Sequence, residues 1–542
     1  MRAKYLAGII LLAVLSGCSV SEQPINSEPK NDTRPNILFI VADDLGFTDL
    51  GSFGGEIPTP NLDSLAFQGL RLNNLHAGQA CQQTRAMIMA STGHYRALEY
   101  RPNLPSGERS NRLSLDWATL PELMQDAGYA TFMTGKWDLG LDTGYTPATR
   151  GFEKSFVQLG ASSSFFREYF LDPNDLGFEE NGVPVTFDDL PEDFYVTDHY
   201  TNKMLEYLKQ ADQNKPWFAY MPYTAPHWPL QLPEDWLDRH AGNYDMGYDE
   251  LREQRFERAL SLGVLPENSS LENFSPQTPP WSELTAEEKQ KYVRAQEIYA
   301  GMIEHLDLSI GRIVDYLEET NQLENTLIVF TSDHGSSSGE HGVDTGRVIQ
   351  GGGPSIPAHI DNSFENFGRA GSFIDHGRGF AEAASAPFRY VKGSLTEGGV
   401  RAVSFVYYPA EIGAGDVSSA YMSMMDFLPT FMEVANTQHP GASTFRGREV
   451  NDIHGESAWS HLTGQSAQVH SDSYVTGWST GTGGSLIQGQ YKINNTPAPG
   501  QQGLTEWHLY DLVADPGEHN NIAAQHPELV AQMVAEWEAN WK

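Results

Sequence analysis

The sequence predicts an α/β fold built on a large, mostly parallel mixed sheet that lies between helices. Four segments are apolar throughout, as buried strands are, namely NILFIVA, WFAYMPY, LIVFTS and VSFVYYP. Segments with helical spacing alternate with them, namely LPELMQDAG and KYVRAQEIYAGMIEHLDLSIGRIVDYLEET. Such alternation is typical of a sheet that is covered on both faces. Ligands of these sheets bind beyond the carboxyl ends of the strands, so the residues there are the first candidates for a functional site.

The whole chain indicates one large domain followed by a smaller one. A chain of 542 residues has room for roughly two to four domains. No repeat and no long low-complexity linker divides the sequence after residue 34, however. We therefore expect a large domain over residues 35–465 and a smaller C-terminal α+β subdomain over residues 466–542.

The N-terminal residues have the pattern of an export signal with a lipidation site. Their apolar run is too short to cross the hydrocarbon core of a bilayer. The tetrapeptide LSGC resembles the bacterial lipobox, whose cysteine, here Cys18, becomes the lipidated first residue of the mature chain. We expect residues 1–18 to be the signal peptide and residues 19–34 a flexible tether. An ordinary secretory signal is the alternative, but the polar stretch after the lipobox favours an exported, membrane-anchored lipoprotein, periplasmic or of the outer membrane. Ser19 favours the outer membrane, because an aspartate at this position usually retains lipoproteins in the inner one.

The composition restricts the partners of the chain. It has 35 Lys and Arg residues against 71 Asp and Glu residues, which gives a net charge of −36. A surface of this sign repels phosphates and argues against a nucleic acid partner. An anionic substrate would need a local group of cations that outweighs the negative electrostatic field of the protein. The chain has two cysteines, and with Cys18 assigned to the lipid, Cys81 has no partner for an internal disulfide.

Acidic residues follow two of the predicted strands directly. Asp43 and Asp44 come after NILFIVA, and Asp333 and His334 come after LIVFTS. Each pair taken alone is better explained by a turn or a helix cap. Taken together, at the ligand-binding edge of one sheet, they favour a divalent cation held by oxygen ligands. Calcium or magnesium suits carboxylates better than zinc, which prefers sulfur and nitrogen ligands.

Cys81 stands before a predicted short helix over residues 86–89, with Arg85 one turn away. The N–H groups and the dipole at a helix N-terminus attract an anion, and Arg85 adds a fixed positive charge. The residues alone leave three interpretations open. Cys81 is part of an anion site, or a buried structural cysteine, or a thiolate nucleophile whose pKa such surroundings would lower.

Cys81 and the acidic residues belong to a set of six blocks along the chain: CQQTR at 81–85, GKWDLG at 135–140, PHWP at 226–229, TSDHG at 331–335, Lys392 followed by TEGGVR, and the closing LYDLVADPGEHNNIA. In content and order these blocks resemble those of the type I sulfatases of the alkaline phosphatase superfamily, and most closely the bacterial arylsulfatases. The resemblance runs through nearly the whole mature chain and implies the alkaline phosphatase/sulfatase-like fold, with residues 35–465 as the catalytic domain.

The resemblance implies hydrolysis of sulfate esters, either of an aryl sulfate or of a sulfated carbohydrate. In this family a formylglycine-generating enzyme oxidises the motif cysteine, here Cys81, and the hydrated aldehyde attacks the sulfur atom. One calcium ion per chain is implied as the cofactor. Its implied ligands are Asp43, Asp44, Cys81, Asp333 and His334.

The resemblance also implies roles for the remaining motif residues. Lys136, Lys392 and Arg85 would neutralise the sulfate and the charge that develops during transfer. His227 would protonate the leaving oxygen, which suits a side chain that titrates near neutral pH. Asp138 stands where the family usually has a histidine beside the formylglycine hydroxyl. A carboxylate can accept a proton there but cannot donate a hydrogen bond, so we expect weaker or differently pH-dependent turnover.

Two features, Gln83 and Asp138, keep other functions open. Gln83 stands where the modifying machinery prefers proline or alanine, which bears on the conversion of Cys81. The alternatives are a phosphodiester or phosphonate ester hydrolase of the same superfamily, and a catalytically impaired lipoprotein that binds sulfated glycans. Four aromatic residues near the His227 block could stack on a ring of the substrate or belong to the core, namely Trp228, Trp236, Tyr244 and Tyr248.

Overall fold

The computed structural model describes residues 32–100, 111–168, 177–338, 360–480, 483–497 and 505–542. The predicted signal peptide with Cys18, and residues 19–31 of the predicted tether, lie outside these ranges, so the lipid anchor stays a prediction. The strands of the described ranges are β1 Asn36–Ala42, β2 Leu70–His76, β3 Leu98–Tyr100, β4 Asn111–Leu113, β5 Ala130–Lys136, β6 Lys154–Gln158, β7 Phe178–Glu180, β8 Val183–Pro184, β9 Trp217–Pro222, β10 Thr326–Ser332, β11 Arg401–Tyr407, β12 Val417–Ser418, β13 Met422–Ser423, β14 Ser443–Phe445, β15 Arg448–Val450, β16 Val475–Ser479, β17 Gly484–Gln488, β18 Tyr491–Asn494 and β19 His508–Asp511.

The α-helices of the same ranges are α1 Pro60–Gln68, α2 Cys81–Ala90, α3 His94–Ala97, α4 Leu120–Asp126, α5 Val196–Gln210, α6 Tyr248–Ser261, α7 Ala286–Glu319, α8 Gly377–Ala384, α9 Glu397–Val400, α10 Phe427–Val434, α11 Trp459–Leu462 and α12 Pro527–Asn540. The long segment with helical spacing forms α7. This helix starts at Ala286, ahead of the predicted start, because Thr285 and Glu288 form a capping box at its N-terminus. Of the helices in the described ranges, none combines the length and the apolarity needed to cross a bilayer.

The four predicted strands lie in one central sheet. β1, β9, β10 and β11 correspond to the four apolar segments, and each is buried along its whole length. Within the described ranges the sheet has 11 strands, in the order β12-β2-β11-β10-β1-β9-β5-β6-β7-β8 with β13 beside β2. The run from β10 through β1, β9 and β5 to β6 is parallel, and β11 is antiparallel to β10. The predicted large, mostly parallel mixed sheet is confirmed.

Helices cover both faces of this sheet, as its apolar strands predict. Alternate residues of β1 point into two different cores, Leu38 and Ile40 into one and Ile37 and Phe39 into the other. The first core is closed by residues of α1, α5 and α7, and the second by residues of α2, α4, α10 and α12. Burial on both faces explains why these strands show no polar alternation in the sequence.

A second sheet lies near the end of the chain. Strands β16, β17, β18 and β19 pair antiparallel in that order. Helix α12 lies against this sheet, where the indole N–H of Trp537 donates to the carbonyl of Trp478 at 2.8 Å. These elements fall within residues 466–542, the predicted α+β subdomain, and the boundary at residue 465 stays a prediction.

The carboxyl ends of the parallel strands meet at one edge of the central sheet. Two glycines allow the segments at this edge to approach closely. A Cβ on Gly135, whose φ is +139°, would lie 2.0 Å from the carbonyl oxygen of Pro222. A Cβ on Gly335 would lie 1.8 Å from the carbonyl oxygen of Gly398. Both positions are therefore closed to a larger residue, and the loops that follow the strands pack directly on one another.

Candidate active site

Three carboxylates converge where β1 and β10 end side by side. Ala42 and Ser332, the last residues of these strands, are paired in register. The residues that follow, Asp43 and Asp333, are therefore neighbours at the edge of the sheet. The backbone N–H of Asp44 donates to Asp333 Oδ1 at 3.2 Å, and Asp44 has a φ of 69°. All three carboxylates are fully buried.

The predicted metal ligands lie together. Asp43, Cys81, Asp333 and His334 each offer a ligand atom, and these atoms lie within 4.8 Å of one another. A second group of the same width contains Asp43 and Cys81 with Asp44 and His227. The sequence did not predict His227 as a ligand candidate, because its block follows a different strand, β9, and contains no carboxylate. The five implied ligands thus lie in one buried pocket, and His227 lies beside it.

One ring nitrogen of His334 faces two of the carboxylates. Its Nδ1 lies 2.8 Å from the carbonyl oxygen of Gly335, which can only accept, so Nδ1 carries a proton. Its Nε2 lies 3.3 Å from Asp44 Oδ1 and 3.4 Å from Asp333 Oδ1. An Nε2 lone pair so close to two carboxylates needs a proton or a metal ion between them. Although burial opposes it, Asp333 raises the pKa of His334 to about 9 in the metal-free protein.

The carboxylates are also suited to a hard divalent cation. The Oδ2 atom of Asp44 is buried and accepts no hydrogen bond. Burial, with Asp43 beside it, raises the pKa of Asp333 to about 8, so this carboxylate lacks sufficient compensating charge. Carboxylate oxygens are the preferred ligands of Ca²⁺ and Mg²⁺, whereas the His334 nitrogen is a softer donor than either ion usually takes. The residues present therefore fit a divalent cation, with three carboxylates as its main donors.

Three cations surround the carboxylates. Lys136, at the end of β5 and fully buried, lies 2.5 Å from Asp43 Oδ2. Lys392 Nζ lies 2.5 Å from Asp44 Oδ1. Although burial opposes this, these cations and His227 hold the pKa of Asp43 well below its ordinary value. Three fixed positive charges, with Arg85 included, thus match three carboxylates within the pocket.

Arg85 binds the carboxylates and the backbone. Its Nη2 lies 3.4 Å from Asp43 Oδ2 and 3.3 Å from Asp333 Oδ2, and its Nη1 donates to the carbonyl of Lys136 at 2.7 Å. The guanidinium is 1 % exposed. Arg85 therefore joins the ends of β1, β5 and β10 to α2. Its predicted contact with sulfate stays a prediction.

Cys81 is the first residue of α2, which runs from Cys81 to Ala90. The prediction of a short helix beginning at residue 86 was wrong. The helix starts earlier because the N–H of Gly78 donates to Thr84 Oγ1 at 2.9 Å and fixes the turn before Cys81. The Sγ atom lies 3.3 Å from Asp43 Oδ1 and 3.3 Å from His334 Nε2. Burial and Asp43 oppose ionisation, but Lys136 and Lys392 hold the pKa of the thiol well below its ordinary value.

His227 borders the same pocket on the β9 side. Its Nδ1 contacts the carbonyl oxygen of Trp228, which can only accept, so Nδ1 carries the proton there. Its Nε2 lies 3.5 Å from Asp44 Oδ2, and its side chain is 3 % exposed. The carbonyl of Trp228 therefore fixes which ring nitrogen faces the pocket.

Asp138 and Gln83 occupy the places where the sequence departs from the family motif. Asp138 is 2 % exposed with a φ of 57°, and its carbonyl oxygen accepts from the side chain of Gln82 at 3.0 Å. Neither group of metal-ligand atoms among the described residues includes Asp138. Gln83 is half-buried in the first turn of α2. Of the aromatic residues considered above, Tyr244 and Tyr248 belong to the core.

Comparison with known proteins decides the family. The model of the Sulfatase family matches residues 35–437. This protein belongs to the sulfatase family. The sulfatase is 38 % identical over 540 residues to an uncharacterised sulfatase of Schizosaccharomyces pombe, and the alignment covers 93 % of each chain. It is 31 % identical to the arylsulfatase of Klebsiella aerogenes, over 80 % of this chain and 92 % of the relative. It is thus a sulfuric ester hydrolase.

Solved structures with this fold include both sulfatases and a phosphonate hydrolase. The crystal structure of Ps i-CgsB in complex with k-i-k-neocarrahexaose has a TM-score of 0.65 at 22 % identity, and covers 93 % of this chain and 92 % of that one. The phosphonate monoester hydrolase of Agrobacterium radiobacter has a TM-score of 0.55 at 18 % identity, over 93 % and 95 % of the two chains. At these identities the likeness shows the alkaline phosphatase-like fold alone.

The stability of the metal-free sulfatase should fall as the pH rises. In the folded protein the pKa of Asp333 is raised to about 8 and that of His334 to about 9. Groups with a raised folded pKa stabilise the fold while they hold their protons, and this contribution is lost as the pH rises through those values. Ca²⁺ would replace the protons, so it should raise the melting temperature more at pH 9 than at pH 6. Thermal unfolding with Ca²⁺ or with a chelator measures this.

An Asp333→Asn variant is the control for this experiment. It removes one carboxylate of the ligand group, so both the pH dependence and the Ca²⁺ effect should shrink. An equal Ca²⁺ effect at the two pH values, or the same effect in the variant, would contradict the assignment of the cation to this pocket.

Proposed function

We propose that this sulfatase hydrolyses sulfate esters with a formylglycine made from Cys81 and one bound Ca²⁺. The observation that carries the proposal is the position of Cys81 Sγ, 3.3 Å from both Asp43 and His334 in a buried pocket. An isolated structural cysteine would be surrounded by apolar side chains instead. Cys81 thus lies where a nucleophile would be adjacent both to the cation and to the anion that the cation attracts.

Two groups would supply chemistry that the unmodified side chains lack. The formylglycine would supply a hydrated aldehyde as the nucleophile at position 81. The Ca²⁺ would supply a fixed double positive charge and would polarise an oxygen of the sulfate. The residues that would hold the ion are Asp43, Asp44, Asp333 and His334, with position 81 beside them. His334 would then be neutral and would use its Nε2 lone pair, as its Nδ1 contact with Gly335 favours.

The charges of the pocket match a sulfate group. Three carboxylates face Lys136, Lys392 and Arg85, so these fixed charges of the pocket are balanced. The Asp138 carboxylate adds one negative charge, so a divalent cation would leave an excess of one positive charge, which the single negative charge of a sulfate ester neutralises. Lys136 and Lys392 would orient the sulfate oxygens, while Arg85 holds Asp43 and Asp333 in place. This local excess would let a chain with a net charge of −36 bind an anionic substrate.

His227 and Asp138 would transfer the protons of the reaction. The Nδ1–H of His227 is held by the carbonyl of Trp228, so Nε2 is the atom that would give a proton to the leaving oxygen. Asp138 would accept a proton from the hydroxyl at position 81, in place of the histidine usual in the family. Because the base would be a carboxylate, we expect turnover to depend on pH differently from that of relatives with histidine.

Relatives support an aryl sulfate or a sulfated sugar as the substrate. Besides the arylsulfatase named above, the sulfatase is 25 % identical to an N-acetylglucosamine-6-O-sulfatase of Bacteroides thetaiotaomicron, over 98 % of this chain and 91 % of the relative. The phosphonate monoester hydrolase of Agrobacterium radiobacter has a similar fold. Hydrolysis of phosphonate esters and phosphodiesters is therefore the second candidate function. Turnover of an aryl sulfate well below that of the matching aryl phosphodiester would favour this candidate.

The role of His227 can be tested through the leaving group. A His227→Gln variant removes the proton donor, which matters most when the leaving oxygen is basic. We expect a loss of about tenfold in kcat/KM for nitrophenyl sulfate and of about a thousandfold for an unactivated alkyl or sugar sulfate. A remote His454→Gln variant should show no such dependence. Equal losses on all esters would rule out a proton donor at this position.

The modification of Cys81 can be tested by mass spectrometry of the peptide that contains it. We expect a formylglycine fraction that reacts with a hydrazide probe, because activity of the proposed kind requires the aldehyde. A Gln83→Pro variant, which restores the preferred residue, should increase both the modified fraction and kcat in the same proportion. A fully active sulfatase with an unmodified thiol at position 81 would instead support the thiolate nucleophile, whose lowered pKa the pocket favours.

A further inference from the structure

Five buried ionisable residues join the C-terminal sheet to the active site, at a place that the proposed mechanism does not use. We call them the Glu397 cluster. Its residues are 6 % exposed or less and come from four different segments, namely His76, Glu397 with Arg401, Lys492 and Glu518. Glu397 belongs to the TEGGVR block and Glu518 to the closing block of the sequence. The sequence indicated no role for either residue.

Lys492 is the residue that connects the two parts of the cluster. Its Nζ lies 2.7 Å from Glu397 Oε1 and 3.0 Å from Glu518 Oε1, and it reaches them from β18 of the C-terminal sheet. The second oxygen of Glu518 accepts from the backbone N–H of Glu397 at 2.7 Å. Lys492 and Glu518 thus bind both the side chain and the backbone of Glu397, at the start of α9.

The charges of the cluster are balanced. Two carboxylates face Lys492 and Arg401, whose Nη1 lies 3.1 Å from Glu397 Oε2. His76 lies 3.0 Å from the same carboxylate, and burial lowers its pKa. Without Lys492 two buried carboxylates would share one arginine, and breaking a buried pair in this way usually moves the groups that remain.

Glu397 lies at the base of the loop that carries Lys392. The N–H of Gly398 donates to the carbonyl of Arg389 at 3.0 Å and closes this loop. Arg389 Nη1 in turn donates to the carbonyl of Glu518 at 2.7 Å. At its tip, the N–H of Lys392 donates to the carbonyl of Ser336 at 3.0 Å, two residues after His334. The loop is therefore held at its base by the Glu397 cluster and at its tip by the active site.

The segment before Cys81 is attached to the Glu397 cluster and to the end of α9. His76 is the last residue of β2, and the N–H of Ala77 donates to the carbonyl of Val400 at 2.7 Å. The indole N–H of Trp478, in β16 of the C-terminal sheet, donates to the carbonyl of Ala77 at 2.8 Å. The C-terminal sheet thus contacts two of the segments that carry active-site residues.

We infer that Lys492 is a positioning residue for the sulfate site, because it fixes the Lys392 loop through Glu397 and Glu518. The inference rests on the proposed function, in which Lys392 contacts sulfate. Lys392 Nζ lies 2.5 Å from Asp44 Oδ1, so a small displacement of its loop would move the charge away from both the carboxylate and the bound sulfate. The C-terminal sheet is therefore a part of the catalytic apparatus and more than an appended domain.

The test compares Lys492→Met, Lys392→Met and the double variant in the full-length, modified enzyme. The quantities are kcat and KM for nitrophenyl sulfate, and the inhibition constant of inorganic sulfate. We expect Lys492→Met to raise KM and the inhibition constant about tenfold each, because Lys392 binds the sulfate group in the ground state. In the Lys392→Met background the same substitution should have little further effect, since it acts through Lys392. Arg150→Met removes another buried cation, which donates to the carbonyls of Leu113, Ser114 and Trp117 and to none of the pocket carboxylates, and is the matched control.

The outcomes separate the inference from the proposed function. A loss of folded protein would lower the apparent kcat in proportion and leave KM and the inhibition constant unchanged, as we expect for Arg150→Met. This result for Lys492→Met would overturn the inference. Additive effects in the double variant would also overturn it, because Lys492 would then act by another route. If Lys392→Met itself leaves the inhibition constant unchanged, the proposed contact of Lys392 with sulfate is wrong and the inference is wrong with it.

Discussion

Buried charge at the carboxyl edge of the central sheet has to be compensated within the pocket, because water cannot reach it. An unpaired buried carboxylate costs several kcal/mol, and three of them stand together here. Lys136, Lys392 and Arg85 compensate them, and each does so from a different segment of the chain. The positions of these segments are therefore coupled by electrostatics as well as by packing. The raised pKa values of Asp333 and His334 indicate that these three cations leave the compensation incomplete.

The fold brings these charges together by a simple geometric route. β1, β5, β9 and β10 are parallel neighbours, so every residue that follows one of them reaches the same edge. The edge can be densely filled because glycines at positions 135 and 335 let backbones lie against each other. The resulting pocket balances its own buried charges. With the proposed divalent cation it would be a local positive site in a strongly acidic protein, as binding of a sulfate ester requires.

Much of this site can be predicted from the sequence, for a physical reason. Acidic residues directly after apolar strands have to lie at the ligand edge of a parallel sheet, so Asp43, Asp44 and Asp333 could be placed without a structure. The start of α2 could not be predicted from the sequence, because it depends on a contact between Gly78 and Thr84 in a turn that has no apolar pattern. The proximity of His227 to the ligand group depends on how the loop after β9 folds back.

The Glu397 cluster shows the limit of sequence reasoning most clearly. Lys492 and Glu397 are 95 residues apart in the chain, and nothing local distinguishes a buried lysine in β18 from an exposed one. Their pairing follows only from the way in which the C-terminal sheet packs against α9. Charged residues in family blocks that no mechanism uses are therefore good places to look for such long-range pairs.

In the proposed function, a divalent cation gives the pocket its affinity for sulfate. Isothermal titration of inorganic sulfate into the protein, with Ca²⁺ bound and after its removal by a chelator, tests this directly. We expect measurable binding only with Ca²⁺, and sulfate should increase the affinity for Ca²⁺ by the same factor. Equal affinity for sulfate in the two states, with metal analysis confirming the loss of Ca²⁺, would contradict the account.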